Sequence, residues 1–106
     1  MGYITRGTTP DFRFEVGEDI SDWDVYVTFG QNGRELVTIH QPDVEPTVGG
    51  STVFGRLTQE QTLKFKPGEA EAQLRACRNG VAGATGCWEF EVRKVILPGT
   101  IPREVG

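Results

Sequence analysis

From Phe12 to Val16 apolar and polar residues alternate: Phe12, Phe14 and Val16 fall on one side, Arg13 and Glu15 on the other. That period of two predicts a half-buried strand. After an acidic turn over 17–22, Trp23, Val25, Val27 and Phe29 alternate with Asp24, Tyr26 and Thr28, a second strand rich in β-forming residues. Asn32-Gly33 then supplies two residues that tolerate positive φ, and Glu35 to His40 is β-rich again, so the second and third strands are expected to form an antiparallel hairpin. Gln41 to Gly50 has two Pro, two Gly and no apolar period, which reads as a loop crossing between sheets. Ser51 to Leu57 is a fourth strand. The period then changes, and Thr58 with Gln61 three residues on forms a capping-box pattern for one or two helical turns, stopped at Lys66-Pro67-Gly68. Alternation returns from Glu69 to Cys77. After Asn79-Gly80 and a Gly-Ala stretch, Trp88, Phe90 and Val92 mark a last strand reaching about Ile96. The expected fold is all-β: an immunoglobulin-like antiparallel sandwich of six to seven strands with one short crossover helix.

Length and composition narrow this further. The chain has 106 residues, enough for a single domain over 1–106, with termini at about 1–9 and 97–106 expected to lie extended. Fourteen Gly and six Pro favour many turns and short strands over helices. Eleven basic against fifteen acidic residues give a net charge of −4, with no counter-charge for a phosphate backbone, so nucleic acid is not an expected partner. No stretch approaches the ~20 apolar residues that span a bilayer. Met1 to Pro10 lacks the apolar core of a secretion signal, and Arg6 stands where N-myristoylation needs Ser or Thr, so no membrane association is expected.

Candidate chemistry is sparse. A single histidine, His40, and two serines, Ser21 and Ser51, leave little from which to build a nucleophile, base and orienting acid; no catalytic residue is assigned. Two Cys and one His do not supply a four-ligand zinc site. Glu18, Asp19, Asp22 and Asp24 form the one acidic cluster able in principle to attract calcium, but they lack the spacing of a calcium loop and are read as a solvated turn. No metal or cofactor is therefore expected, and the chain is read as a non-enzyme. Cys77 and Cys87 share the polar phase of their strands; a disulfide between them is conceivable, and reduced thiols are the expectation in the absence of a secretion signal. Trp23 and Trp88 share the apolar phases and are expected to anchor the core. Tyr26 lies on the opposite phase, the one aromatic of the central strands placed to mark a contact surface.

Four segments carry a resemblance. Arg6-Gly7-Thr8-Thr9-Pro10, Val25-Tyr26-Val27-Thr28-Phe29-Gly30-Gln31, Leu57-Thr58-Gln59-Glu60-Gln61-Thr62-Leu63-Lys64-Phe65 and Gln73-Leu74-Arg75 occur in this order. Together they resemble small phage and prophage proteins, and more distantly the N-terminal β-sandwich of upper baseplate proteins of tailed phages. The resemblance implies a tail- or baseplate-associated structural or accessory protein. Such a protein is made in the bacterial cytoplasm and built into a virion by contacts with other phage structural proteins, with self-association open. It implies no catalytic residues. The alternative is an immunoglobulin-like module that recognises a cell-surface glycan or protein through Tyr26 and the loop from Gln41 to Gly50.

Overall fold

Phe12, Phe14, Val25, Val27, Phe29, Leu74, Phe90 and Val92, all on the apolar phases of their strands, meet in one core between two sheets. The computed structural model describes residues 2–101 and is an all-β sandwich. Its elements are β1 (Tyr3–Thr5), β2 (Asp11–Val16), β3 (Asp24–Gln31), β4 (Arg34–His40), β5 (Asp43–Thr47), β6 (Gly50–Arg56), α1 (Gln59–Leu63), β7 (Gly68–Arg78), β8 (Val81–Ala84) and β9 (Trp88–Arg93). One sheet runs β1-β9-β7-β3-β4, with β8 also paired to β7; the other runs β2-β6-β5. All pairings are antiparallel except β1 with β9.

Local sequence explains the turns. Asn32 and Gly33, at φ 53° and 76°, form the tight β3–β4 hairpin, and Asn79 and Gly80, at 51° and 79°, repeat it between β7 and β8. Both turns need positive φ at two successive positions, which Asn-Gly supplies at low cost. The β3–β4 ladder slips by one residue between Phe29 and Gly30. A Cβ at Gly30 would lie 2.6 Å from the Arg34 carbonyl oxygen, so glycine is what lets the two backbones close there.

The helix starts as the capping box requires: Thr58 Oγ1 accepts from Gln61 N, and Gln61 Oε1 accepts from Thr58 N. It crosses from β6 in one sheet to β7 in the other. Buried Thr62 ties it to the N-terminal segment, accepting from Gly7 N at 3.0 Å and donating to the Thr8 carbonyl at 2.9 Å, while Arg6 Nη2 donates to the Leu63 carbonyl. Gln31, 8% exposed at the end of β3, fixes the connector after the helix: it donates to the Lys66 carbonyl at 2.6 Å and accepts from Lys66 N at 2.8 Å. The resemblance-bearing segments from Arg6, to Gln31 and from Leu57 thus converge at one end of the sandwich in an architectural knot.

Among the described residues nine strands form where six to seven were expected. Tyr3–Thr5 is a strand within the expected extended N-terminus, Asp43–Thr47 lies inside the expected crossing loop, and Val81–Ala84 lies in the Gly-Ala stretch. Each buries almost nothing: Ile4 alone in β1, Val44 half-buried in β5, no residue in β8. Strands that bury no face leave no apolar period, and Pro46 is tolerated because β5 is an edge. The expected extended C-terminus is described only as far as Ile101, where no strand forms; residues 102–106, like Met1, lie outside the described residues. Trp23 and Trp88 pack at the rim of the core, partly buried, with Trp88 stacked on Phe14 at 4.3 Å.

Candidate functional site

The end of the sandwich opposite the helix collects the β2–β3 connection, the β5–β6 hairpin tip and the β7–β8 hairpin. Its geometry follows from unequal sheets. β7 is eleven residues long; β9 covers its first half and β8 its second. Only three strands oppose this larger sheet, so β8 overhangs them and all four of its residues are exposed. Gly83 pairs with inward-facing Ala76, and Val81 shares that parity yet is 62% exposed. Beneath the overhang opens a groove of about 470 Å³ lined by Val16, Ile20, Trp23, Leu74, Ala76 and Val81.

The wall of this groove formed by the β2–β3 connection is held by Ser51. Its buried hydroxyl donates to the Glu18 carbonyl at 2.7 Å and accepts from Ile20 N at 2.9 Å. Ser51, one of two conceivable nucleophiles, therefore has a structural task. Ser21 is engaged with Asp19 through its N–H and hydroxyl, which hold the Asp19 carboxyl below its ordinary range.

On the outer face of the large sheet, Asp24 is a hub. Its Oδ1 lies 2.6 Å from His40 Nε2, and its Oδ2 accepts from the Tyr26 hydroxyl at 3.1 Å and lies 4.0 Å from Cys77 Sγ. The Tyr26 and His40 rings stack across the β3–β4 ladder at 4.3 Å and 7°. The hydrogen bond with His40 first, and that from Tyr26, hold the Asp24 carboxyl below the usual carboxylate range; the bond to Asp24 pushes the Tyr26 phenol above its own. Thiol, acid and imidazole are thus gathered in the order Cys77–Asp24–His40. Nucleophilic catalysis needs the base against the nucleophile, and here the carboxylate stands between them. Beside this hub a shallow groove of about 490 Å³ runs over Tyr26, Thr28, Glu35, Thr38, Gln73 and Arg75.

The acidic cluster is dispersed. Asp22 pairs with Arg78 at 2.9 Å, Asp24 with His40, Asp19 with Ser21, and Glu18 contributes its carbonyl to Ser51. Among the described residues no group of three or more His, Cys, Asp or Glu side chains could hold a metal ion. Cys77 and Cys87 are both exposed free thiols. Cys77 pairs with Ala82, and Trp88, next to Cys87, with Ala72. Four to five residues of β7 therefore separate the thiols, roughly 15 Å at strand rise, far beyond the ~7 Å Cα separation a disulfide allows. The intrachain disulfide considered from the sequence does not fit this fold.

Of the Gln41–Gly50 segment, Gln41 takes positive φ and grips Val25 by both its own N–H and its side-chain oxygen, at 2.8 and 2.6 Å. Val48 at the β5–β6 tip is fully exposed. The groove under β8 was not signalled by the sequence; a run of Gly, Ala and Val with no period was the one hint, and it marks an absence of covering residues. Among the described residues no helix is long and apolar enough to cross a membrane. Compared with protein-family models and with curated proteins, the chain matches none of either.

Proposed function

We propose that this chain is a non-enzymatic structural or accessory module of a phage or prophage assembly, acting in a tail or baseplate through protein–protein contacts at the β2–β3 and β7–β8 end. One observation carries the proposal: an open apolar groove under an uncovered strand, next to a cluster whose connectivity does not activate a nucleophile. Apolar surface of this kind on a small domain is suited to a polypeptide partner. The strand order supports the immunoglobulin-like part of the reading. On that reading β2, β6 and β5 would correspond to strands B, E and D, and β9, β7, β3 and β4 to G, F, C and C′. In that architecture binding loops cluster at one end; this is an analogy of fold and adds weight only as such. The phage context rests on the sequence resemblance, and so does the route from bacterial cytoplasm to virion.

Mass spectrometry of density-purified phage particles induced from the source culture tests the proposal. It predicts this chain at stoichiometric copy number. Abundance in the lysate with absence from particles contradicts a virion role. The second reading, recognition of a cell-surface glycan or protein, is favoured by the polar outer groove, where the Tyr26 ring adjoins Thr28, Thr38, Gln73 and Arg75. Binding on a glycan array lost with Tyr26→Ala would establish it in place of the assembly reading.

A further inference from the structure

Resting on the assembly reading, we infer that the groove under β8 receives the Ile96–Leu97 segment of a second copy of this chain, joining copies head to tail. The two surfaces stand at opposite ends and hold three of the exposed large apolar side chains of the described residues, Ile96 and Leu97 at one and Val81 at the other, with Val48 at the β5–β6 tip outside both. Ile96 is 96% and Leu97 64% exposed, in a segment leaving the far end of β9. The groove is floored by buried Ile20, Leu74 and Ala76, flanked by partly buried Val16 and Trp23, and rimmed by exposed Val81.

A chain does not fill its own groove. β9 leaves the sheet where Val92 pairs with Gly68, whereas the groove lies under Gly83, paired with Ala76. Eight residues of β7 separate these points, roughly 26 Å at strand rise. Beyond Leu97 the segment turns back to the helix: Ile101 N donates to Gln59 Oε1 at 2.8 Å, and Gln59 Nε2 donates to the Ile101 carbonyl at 3.2 Å. This two-point clamp holds the segment at its own helix and presents Ile96 and Leu97 outward.

The groove accepts such an insert on three counts. Its lining is aliphatic and aromatic, matching two aliphatic side chains. β8 pairs with β7 along one edge only, which leaves backbone groups on its other edge for an extended segment. Glu18 stands at the groove and Lys94 precedes Ile96 just after β9, so the charges are complementary. A donor surface at one end and an acceptor at the other make a heterologous contact, which closes into a ring or grows into a filament. That is the geometry a repeated tail component requires.

The test uses the full chain in sedimentation velocity over a concentration series, with Ile96→Asp/Leu97→Asp and Val81→Asp. All three positions are exposed, and circular dichroism checks that both variants fold. Wild type is expected to pass from monomer to larger species, and each variant to weaken self-association by at least about tenfold. Mixing the two variants is the decisive arm. Each retains one intact surface, so the mixture is expected to form 1:1 dimers and nothing larger. A wild-type chain that stays monomeric, an association that survives both substitutions as pairing along the free edge of β4 would, or a mixture that stays monomeric overturns the inference. Stoichiometric presence in particles alongside any of these results leaves the assembly reading standing and removes only the self-pairing.

Discussion

Replacing Gln31 by Leu is expected to cost more stability than any other exchange of similar volume in β3, because it unpairs backbone rather than core. The side chain satisfies both polar groups of Lys66, at 2.6 and 2.8 Å, and reaches the Glu69 carbonyl at 3.3 Å. A buried donor or acceptor left unpaired costs about 1–3 kcal/mol. The Lys66 groups are only partly buried, which places each near the lower bound, and the long Glu69 contact adds little. The sum is about 2–3 kcal/mol, or a fall in Tm of roughly 10–20 °C for a domain of this size. In urea the midpoint should fall by about 1 M with the slope unchanged. Gln31→Glu retains an acceptor for Lys66 N and loses the donor, so it should fall between wild type and Gln31→Leu. A Gln31→Leu midpoint within error of wild type would refute the claim that this side chain fastens the helix connector to β3.

Four further outcomes follow from the same physics. Thr62→Val removes the hydroxyl shared by Gly7 and Thr8 and is expected to cost about 2 kcal/mol in urea melts, whereas Thr62→Ser keeps both bonds and loses roughly one methyl group's burial, about 1 kcal/mol. Gly50→Ala would drive a Cβ into the Val16 carbonyl oxygen and is expected to destabilise by about 1–3 kcal/mol, while Gly83→Ala, with open space around it, should be neutral. Asp11, Asp19 and Asp24 all have carboxyls held below their ordinary range, by Arg56, Ser21 and His40 respectively. Their stabilisation is therefore complete above the unfolded-state value near ~3.9 and is lost as pH falls through the folded values, so Tm should decline below about pH 4 and the decline should flatten in the Asn triple variant. Mild oxidation of the purified chain, followed by non-reducing mass analysis, should yield no intrachain Cys77–Cys87 product; finding one as the main species would contradict the strand register.

How far the fold was legible depended on burial. β2, β3, β7 and β9 set an apolar face against the core, and their alternation marks the first three within a residue or two, whereas β9 ends at Arg93 and not at the expected Ile96, because past Val92 no further residue pairs with β7. The capping pair Thr58 and Gln61 and the two Asn-Gly turns were equally readable, because each is a local bargain between a side chain and its own backbone. β1, β5 and β8 were not, since pairing at an edge is a backbone matter that leaves side chains free to be polar or small. The same reasoning applies to the candidate site. His40, Tyr26, Asp24 and Cys77 were each noticed singly, but their convergence on one carboxylate depends on cross-strand register, with Tyr26 opposite His40 and Asp24 opposite Cys77. The groove depends on a mismatch in sheet width, which no residue encodes. Conversely, the Leu57 to Phe65 stretch, one of the four segments that carry the resemblance, holds the N-terminal segment to the sandwich at the end away from the groove.

The most direct test of the account places a photo-crosslinking amino acid at position 81 or, as a control on the β5 edge, at position 45, and irradiates assembled particles. The account predicts polypeptide adducts from position 81 and none above background from position 45. Equal labelling from both positions, or adducts from position 45 alone, would contradict the assignment of the β2–β3 and β7–β8 end as the contact surface.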